Sequence, residues 1–93
     1  AVDELHDWWL DVAAIDWNRA RGRVRIPFAE VSASLAEGHY QKWLVVEAAQ
    51  KIEIHDTEKV GFYDLNRITF KSGGLVLECG VPLKIEIGVA WKH

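Results

Sequence analysis

Apolar and polar residues alternate at every second position in several parts of this chain, a pattern typical of β-strands that bury one face. The longest example covers residues 83–91, where the apolar residues at alternate positions are Leu83, Ile85, Ile87, Val89 and Trp91. Shorter examples cover residues 23–28 and 51–55. Each stretch predicts a strand, and together they predict a protein built mainly from β-sheet.

The first part of the chain predicts a β-hairpin. In residues 8–17 neither face is cleanly polar, which indicates a strand that is covered on both sides at one end. Residues 18–22 contain Asn and Gly, which tolerate the positive φ angles of turns, and residues 23–28 form the returning strand. Pro27 cannot donate a backbone hydrogen bond, so we expect it at an edge position or at the end of that strand.

A second hairpin is predicted at residues 67–79, around the glycine pair Gly73-Gly74. A turn at these two glycines would place Phe70 opposite Leu77. A shift of the register by two residues would keep the same side chains on the same face, because side chains alternate with a period of two. The face that each side chain occupies is therefore independent of this choice of register.

The middle of the chain leaves two choices open. Residues 29–38 can form one or two helical turns that end at Gly38, or a loop. Residues 43–48 contain a continuous apolar run, 43–46, which predicts a central strand. Residues 51–55 either continue that strand as one long bent strand or form a separate one.

These stretches predict an all-β fold: an antiparallel sandwich or small barrel of six to seven strands, with one short helix near residues 29-38 as an option. The 93 residues have room for a single domain, 1-93. Their apolar content of 49% and charged content of 27% are ordinary for a globular protein and argue against disorder.

The charge and composition of the chain limit the partners and the location that we expect for it. The net charge is −3, and the densest basic run, residues 19–25, lies close in sequence to Asp11 and Asp16. Nucleic-acid binding needs several unopposed cations, so we expect no nucleic-acid partner. No apolar run is long enough to cross a membrane, so we expect no membrane partner. The single cysteine, Cys79, allows no internal disulfide and, with the acidic first residues, predicts a cytoplasmic location.

The chain contains no motif for catalysis, so we expect neither an enzyme nor a bound cofactor or metal. The pairs His6-Asp7 and His55-Asp56 are the candidates for acid–base chemistry, but His55 and Asp56 lie at a strand end, where neighbouring residues point to opposite faces. We expect Asp56 to form hydrogen bonds within a turn and Cys79 to be a buried, inert thiol. The residues of the acidic N-terminal cluster are expected to be solvated: Asp3, Glu4, His6, Asp7 and Asp11.

A resemblance to a known group is carried by three segments: His6-Asp7-Trp8-Trp9-Leu10, Asp16-Trp17 and Gly22-Arg23-Val24-Arg25-Ile26. They resemble the opening hairpin of a diffuse group of small uncharacterised bacterial domains. Some members of that group are assigned as immunity proteins of contact-dependent toxin systems. The resemblance is confined to the first hairpin, and it implies a β-rich protein that binds another protein and carries no catalytic signature.

These observations favour a non-catalytic protein-binding module of the immunity or assembly type, with another protein as its partner. The alternatives are a carbohydrate- or small-ligand-binding β-sandwich and an uncharacterised enzyme. A homodimer formed through an exposed edge or through the strand at residues 83–91 is a variant of the first hypothesis.

The candidate partner-binding residues are Trp9, Trp17, Arg23 and Arg25, because Trp and Arg are enriched at binding hot spots. One of Trp8 and Trp9 is expected to enter the core. Trp17 lies beside a turn and is expected to be exposed, whereas Trp43 and Trp91 are expected to be buried. A first turn of four residues is expected to place Asp16 opposite Arg23 as an ion pair.

Overall fold

A computed structural model describes residues 5–80 and 82–90 of the chain. In chain order the elements are β1 (Trp9–Asp11), a 3₁₀ turn (Val12–Ala14), β2 (Asp16–Asn18), β3 (Arg23–Ala29), α1 (Ser32–Ala36), β4 (Lys42–Val46), β5 (Ala49–Asp56), β6 (Phe62–Asp64), β7 (Arg67–Lys71), β8 (Gly74–Cys79) and β9 (Leu83–Val89).

The described strands form two antiparallel sheets, the first of five strands and the second of four. The predicted all-β class is therefore confirmed, and of the two architectures expected the sandwich is the one found. The number of strands is nine rather than six or seven. The two further strands arise because the predicted strand over residues 8–17 is divided into β1 and β2, and because β6 is a short strand for which no prediction was made.

The first sheet is organised around β3, which has neighbours on both sides. β4 pairs with one side of β3, while the short strands β2 and β1 share the other side, and β6 pairs with β1. The prediction of one continuous strand over residues 8–17 is therefore wrong. The 3₁₀ turn interrupts it, and Asp11 caps this turn by accepting a hydrogen bond from Ala13 N at 3.0 Å.

Pro27 lies in the middle of this sheet, so the expectation of an edge or a strand end is wrong. It pairs with Trp43 of β4. On the other side of β3, Arg25 pairs with a residue of β2 and Phe28 pairs with a residue of β1. Pro27 lies between these two positions. Because proline has no N–H to donate, it fits the gap between these two short strands.

β4 lies at the edge of the first sheet, because β3 is its only paired neighbour among the described strands. The predicted central position is therefore wrong. The chain turns at Ala48, which has a φ of 57°, and β5 then begins in the second sheet. The two apolar stretches are thus separate strands in different sheets.

The second sheet has the strand order β5-β9-β8-β7. In the β7–β8 hairpin Phe70 lies opposite Leu75 and Ile68 opposite Leu77, which is the predicted facing with the register shifted by two residues. β9 pairs with β5 and β8, so this strand offers no open edge for a homodimer. Trp91 lies outside the described residues.

The core lies between the two sheets and receives the inward side chains of both. β9 contributes alternate residues, as its pattern predicts, and β3 contributes Val24, Ile26 and Phe28. Burial of one such side chain stabilises the fold by roughly 1.5–3 kcal/mol. Most of the core side chains are 6% exposed or less: Leu5, Leu10, Val24, Ile26, Phe28, Val46, Tyr63, Leu65, Leu75, Leu77, Cys79, Leu83, Ile85, Ile87 and Val89.

The short helix α1 covers part of the outer face of the first sheet. It packs against β1, β3 and β6, and its Leu35 is buried together with Pro27 and Ala29, which lie outside the central core. Of the two choices left open for residues 29–38, the helix is the one found, and Gly38 follows its C-cap residue Glu37. Gly38 N–H donates to Leu35 O at 3.0 Å and His39 N–H to Ser34 O at 2.8 Å, and the φ of 76° at Gly38 completes a Schellman motif. In the described part of the chain, no helix is long or apolar enough to cross a membrane.

Candidate functional site

The four predicted partner-binding residues do not form one surface. By the alternation along β1 and β3, Trp9, Arg23 and Arg25 lie on the outer face of the first sheet, opposite the face that carries the core residues. Trp17 lies on the inner face, because it pairs with the buried Val24.

The expectation that Trp17 is exposed is wrong. Its side chain is half-buried and packs against the core. The start of β5 approaches the turn beside it, since Ala49 N–H donates to Gly22 O at 2.7 Å. A position next to a turn is thus partly buried here, where the second sheet approaches the turn.

The two adjacent tryptophans point to opposite sides, and both are half-buried. Trp8 packs against the core, and the Lys42 Nζ atom lies 5.0 Å from the centroid of its ring. Trp9 lies opposite Ala29 on the face that α1 partly covers. Trp9 therefore contributes less open surface than an exposed indole would.

Arg23 and Arg25 have different surroundings. The first turn does contain four residues, because Asn18 pairs with Arg23. In an antiparallel pair, two residues back on one strand face two residues forward on the other, so Asp16 lies opposite Arg25. The expected ion pair between Asp16 and Arg23 is therefore wrong. Arg23 instead binds Glu47, with 2.7 Å between Nε and Oε1.

Trp43 is the tryptophan that the sequence placed wrongly in the core. It is 40% exposed, and its neighbour on the same face, Val45, is 47% exposed. Both point to the outer face of the first sheet, where β4 has a partner on one side only. Residues 43–46 are apolar on both faces of the strand. Glu47, which follows at the same alternation as Trp43 and Val45, was the one signal in this run for an exposed face.

Arg25, Tyr40, Trp43 and Val45 together form what we call the Trp43 surface. The Arg25 Cζ atom lies 4.5 Å from the centroid of the Trp43 ring. The Tyr40 and Trp43 ring centroids are 5.5 Å apart with an interplanar angle of 82°. A cation–π contact at an exposed site contributes roughly 0.5–1 kcal/mol. These contacts hold the indole in one orientation while part of it remains open to solvent.

The outer face of the second sheet carries charged side chains instead. His55 Nε2 lies 3.1 Å from Glu86 Oε2 and 3.7 Å from Glu53 Oε2. Ligand atoms of these three residues lie within 4.8 Å of one another, a group that the sequence analysis missed because Glu86 comes from another strand. Lys51 and Lys71 lie 3.4 and 3.8 Å from the carboxylates and would compete with a cation for them.

Of the two remaining candidate pairs, one is separated and the other is in contact but exposed. His55 and Asp56 point to opposite faces of β5, and the predicted turn role of Asp56 is confirmed by a hydrogen bond of 2.8 Å that its Oδ1 accepts from Lys59 N. His6 and Asp7 are both exposed, with Nδ1 and Oδ2 3.2 Å apart. In the predicted acidic cluster, Asp3 and Glu4 lie outside the described residues.

The thiol of Cys79 is buried in the core, as predicted. Burial raises its pKa to about 12, because the thiolate would have to lose its hydration. The thiolate is the reactive form, so this cysteine is held in its unreactive form at neutral pH.

The hydrogen bond between Tyr63 and Asp56 leads us to expect that the protein loses stability in acid. The Tyr63 hydroxyl donates to Asp56 Oδ1, and this bond lowers the pKa of Asp56 from its ordinary value of 3.8. A carboxyl with a lowered pKa in the folded state stabilises the fold above the ordinary pKa, and this contribution disappears as the pH falls through the lowered value. We expect the free energy of unfolding to decrease below about pH 4, and to decrease less in Asp56→Asn.

Urea denaturation between pH 7 and pH 2 measures this effect, with Asp64→Asn as the control because Asp64 is an exposed carboxylate of β6. Equal acid sensitivity in Asp56→Asn and in the unaltered protein would contradict this role of the Tyr63 bond.

Comparisons of the chain with protein-family models, with curated proteins and with solved structures found no match. The function proposed below therefore rests on the residues of the Trp43 surface and on their geometry.

Proposed function

We propose that this protein is a non-catalytic protein-binding module and that it contacts its partner through the Trp43 surface. The observation that supports this most is an indole 40% exposed and held between a guanidinium and a tyrosine ring. Trp, Tyr and Arg are the residues most enriched at binding hot spots. Here the three meet on one open face.

The arrangement lowers the cost of binding. Ordering a flexible side chain at an interface costs about 0.5–1.5 kcal/mol. Tyr40 and Arg25 already restrain Trp43, so less of this cost remains when a partner covers the ring. Val45 extends the apolar area along the same strand, and Arg25 adds hydrogen-bond donors at its margin.

The geometry favours a protein over a sugar as the ligand. A sugar-binding platform needs an open aromatic face on which a pyranose ring can stack. One face of Trp43 is occupied by Arg25 at 4.5 Å, and Tyr40 approaches the same indole. An immunity or assembly role would be a special case of the proposal, with a toxin or a neighbouring subunit as the partner.

Replacing Trp43 with alanine is expected to weaken partner binding by about 30-fold or more, the effect of losing a hot spot worth about 2 kcal/mol. The partner would be captured from a lysate of the source cells with the tagged protein and identified by mass spectrometry. Its affinity for the purified variants would then be measured by calorimetry. Phe70→Ala is the matched control, because Phe70 is 53% exposed but lies on the other sheet.

Trp43→Ala is expected to remain folded, since the side chain is not part of the core, and circular dichroism checks this. A partner bound equally well by Trp43→Ala and by the unaltered protein would refute this surface as the contact. Binding lost equally in Phe70→Ala would place the contact on the second sheet.

A further inference from the structure

The edge of β4 offers backbone groups as well as side chains. In an antiparallel pair, residues alternate between pairs that exchange two hydrogen bonds and pairs that exchange none. Pro27 has no N–H, so its pair with Trp43 belongs to the second kind. The N–H and C=O groups of Trp43, and by the same alternation those of Val45, therefore point away from β3 to the open edge.

We propose that β4 accepts an extended segment of the partner protein as a sixth, antiparallel strand of the first sheet, with an acidic side chain of that segment bound by Arg25. The inference rests on the proposed function and specifies its ligand. Strand addition of this kind takes its affinity from backbone hydrogen bonds and its specificity from alternate side chains.

The charge of the partner segment follows from the state of Arg25. Arg23 is held by Glu47 and Arg67 by Glu78, whereas Arg25 makes no ion pair within residues 5–80 and 82–90. Asp16 lies opposite Arg25 in the register, yet the guanidinium lies over Trp43 on the β4 side. An exposed guanidinium with unused donors binds a carboxylate readily, often through two hydrogen bonds.

The spacing of the segment follows from the strand geometry. Neighbouring strands lie about 4.8 Å apart, so a residue added opposite Trp43 lies beside the ring and within reach of Arg25. The residue opposite Val45 lies on the same face, two positions away. Because the added strand runs antiparallel to β4, the predicted segment reads apolar-x-acidic from its N-terminus to its C-terminus.

A second copy of this chain fits the edge less well. The acidic residue that follows its own β4 is Glu47, which is already bound by Arg23 at 2.7 Å. Pairing two β4 strands would therefore bring no available carboxylate to Arg25. Charge complementarity favours a segment of another protein.

A library of random ten-residue peptides, displayed on phage and selected on the intact protein, tests the proposal. We expect selected peptides to share the apolar-x-acidic pattern. In the best synthetic peptide, Glu→Gln is expected to weaken binding to the unaltered protein by about tenfold. The same change is expected to have little effect on binding to Arg25→Gln. Arg21→Gln, an exposed arginine in the first turn, is the control and should behave like the unaltered protein.

Backbone pairing is read separately, by hydrogen exchange on the ¹⁵N-labelled unaltered protein. Bound peptide is expected to slow exchange of the Trp43 and Val45 amides, and Val45→Pro, which removes one edge donor, is expected to abolish binding. Selected peptides without an acidic preference, or unchanged exchange at both amides, would overturn the proposal. So would protection of these amides in a concentration-dependent dimer without peptide, which would assign the edge to a second copy.

The two proposals fail in different ways. If a partner protein needs Trp43 for binding but does not slow exchange of the β4 amides, the Trp43 surface remains the proposed contact and strand addition is refuted. A partner that is indifferent to Trp43→Ala would refute both.

Discussion

Replacing Phe28 with alanine is expected to lower the free energy of unfolding by about 3–5 kcal/mol. Phe28 has no exposed surface and lies on β3, the strand that pairs with β1, β2 and β4. Its removal leaves a cavity in the core, which residues of both sheets form. Small domains are stable by only about 5–15 kcal/mol, so this one change would remove much of the total.

Phe70→Ala is the matched control for this prediction. It deletes the same atoms from a side chain that is 53% exposed on the edge strand β7, so we expect a cost of about 1 kcal/mol or less. Urea denaturation followed by tryptophan fluorescence measures both variants. Similar losses at the two positions would show that Phe28 does not hold the sandwich together.

Gly74→Ala is expected to destabilise the protein by about 3 kcal/mol or more, an overpacking effect at the upper end of its usual range. Gly74 lies opposite Gly88 of β9, and an added Cβ would collide with the carbonyl oxygen of Ile87. Backbone atoms cannot move aside as a flexible side chain can. The hairpin would have to shift away from β9, with loss of the hydrogen bonds between them.

The neighbouring glycine provides the control. Gly73 has a φ of 81°, and an added Cβ there meets no atom within 4 Å, so Gly73→Ala carries only the conformational cost of about 1–2 kcal/mol. The denaturation midpoints of the two variants compare them directly, and amide spectra of β8 and β9 report any shift of the hairpin. A smaller loss in Gly74→Ala than in Gly73→Ala would contradict the proposed collision.

The prediction of strand faces succeeded where one side of a strand is apolar and the other is polar. The alternation along β9 identified its four buried residues, and the face of each side chain in the β7–β8 hairpin was predicted despite a register error. A period of two is a local property of extended backbone. It needs no knowledge of which strands are neighbours, so it can be read directly from the chain.

The candidate site was predicted only in part. Arg25, one of the four predicted partner-binding residues, lies in the Trp43 surface, but Trp17 and Trp43 were assigned the opposite exposures. Whether an indole is covered depends on what lies next to its strand. Trp17 packs against the core formed by both sheets, whereas Trp43 lies on a strand with one neighbour among the described strands. Both results depend on distant parts of the chain.

The sequence by itself determined the β class, the inward and outward faces of the strongly alternating strands and the buried state of Cys79. The tertiary structure decided the order of the strands, the division between two sheets and the position of β4 at an edge. Local patterns arise from backbone geometry and the burial of apolar surface. Strand order depends on which distant segments pair, and in this protein that pairing placed Arg25, Tyr40 and Trp43 together on an open face.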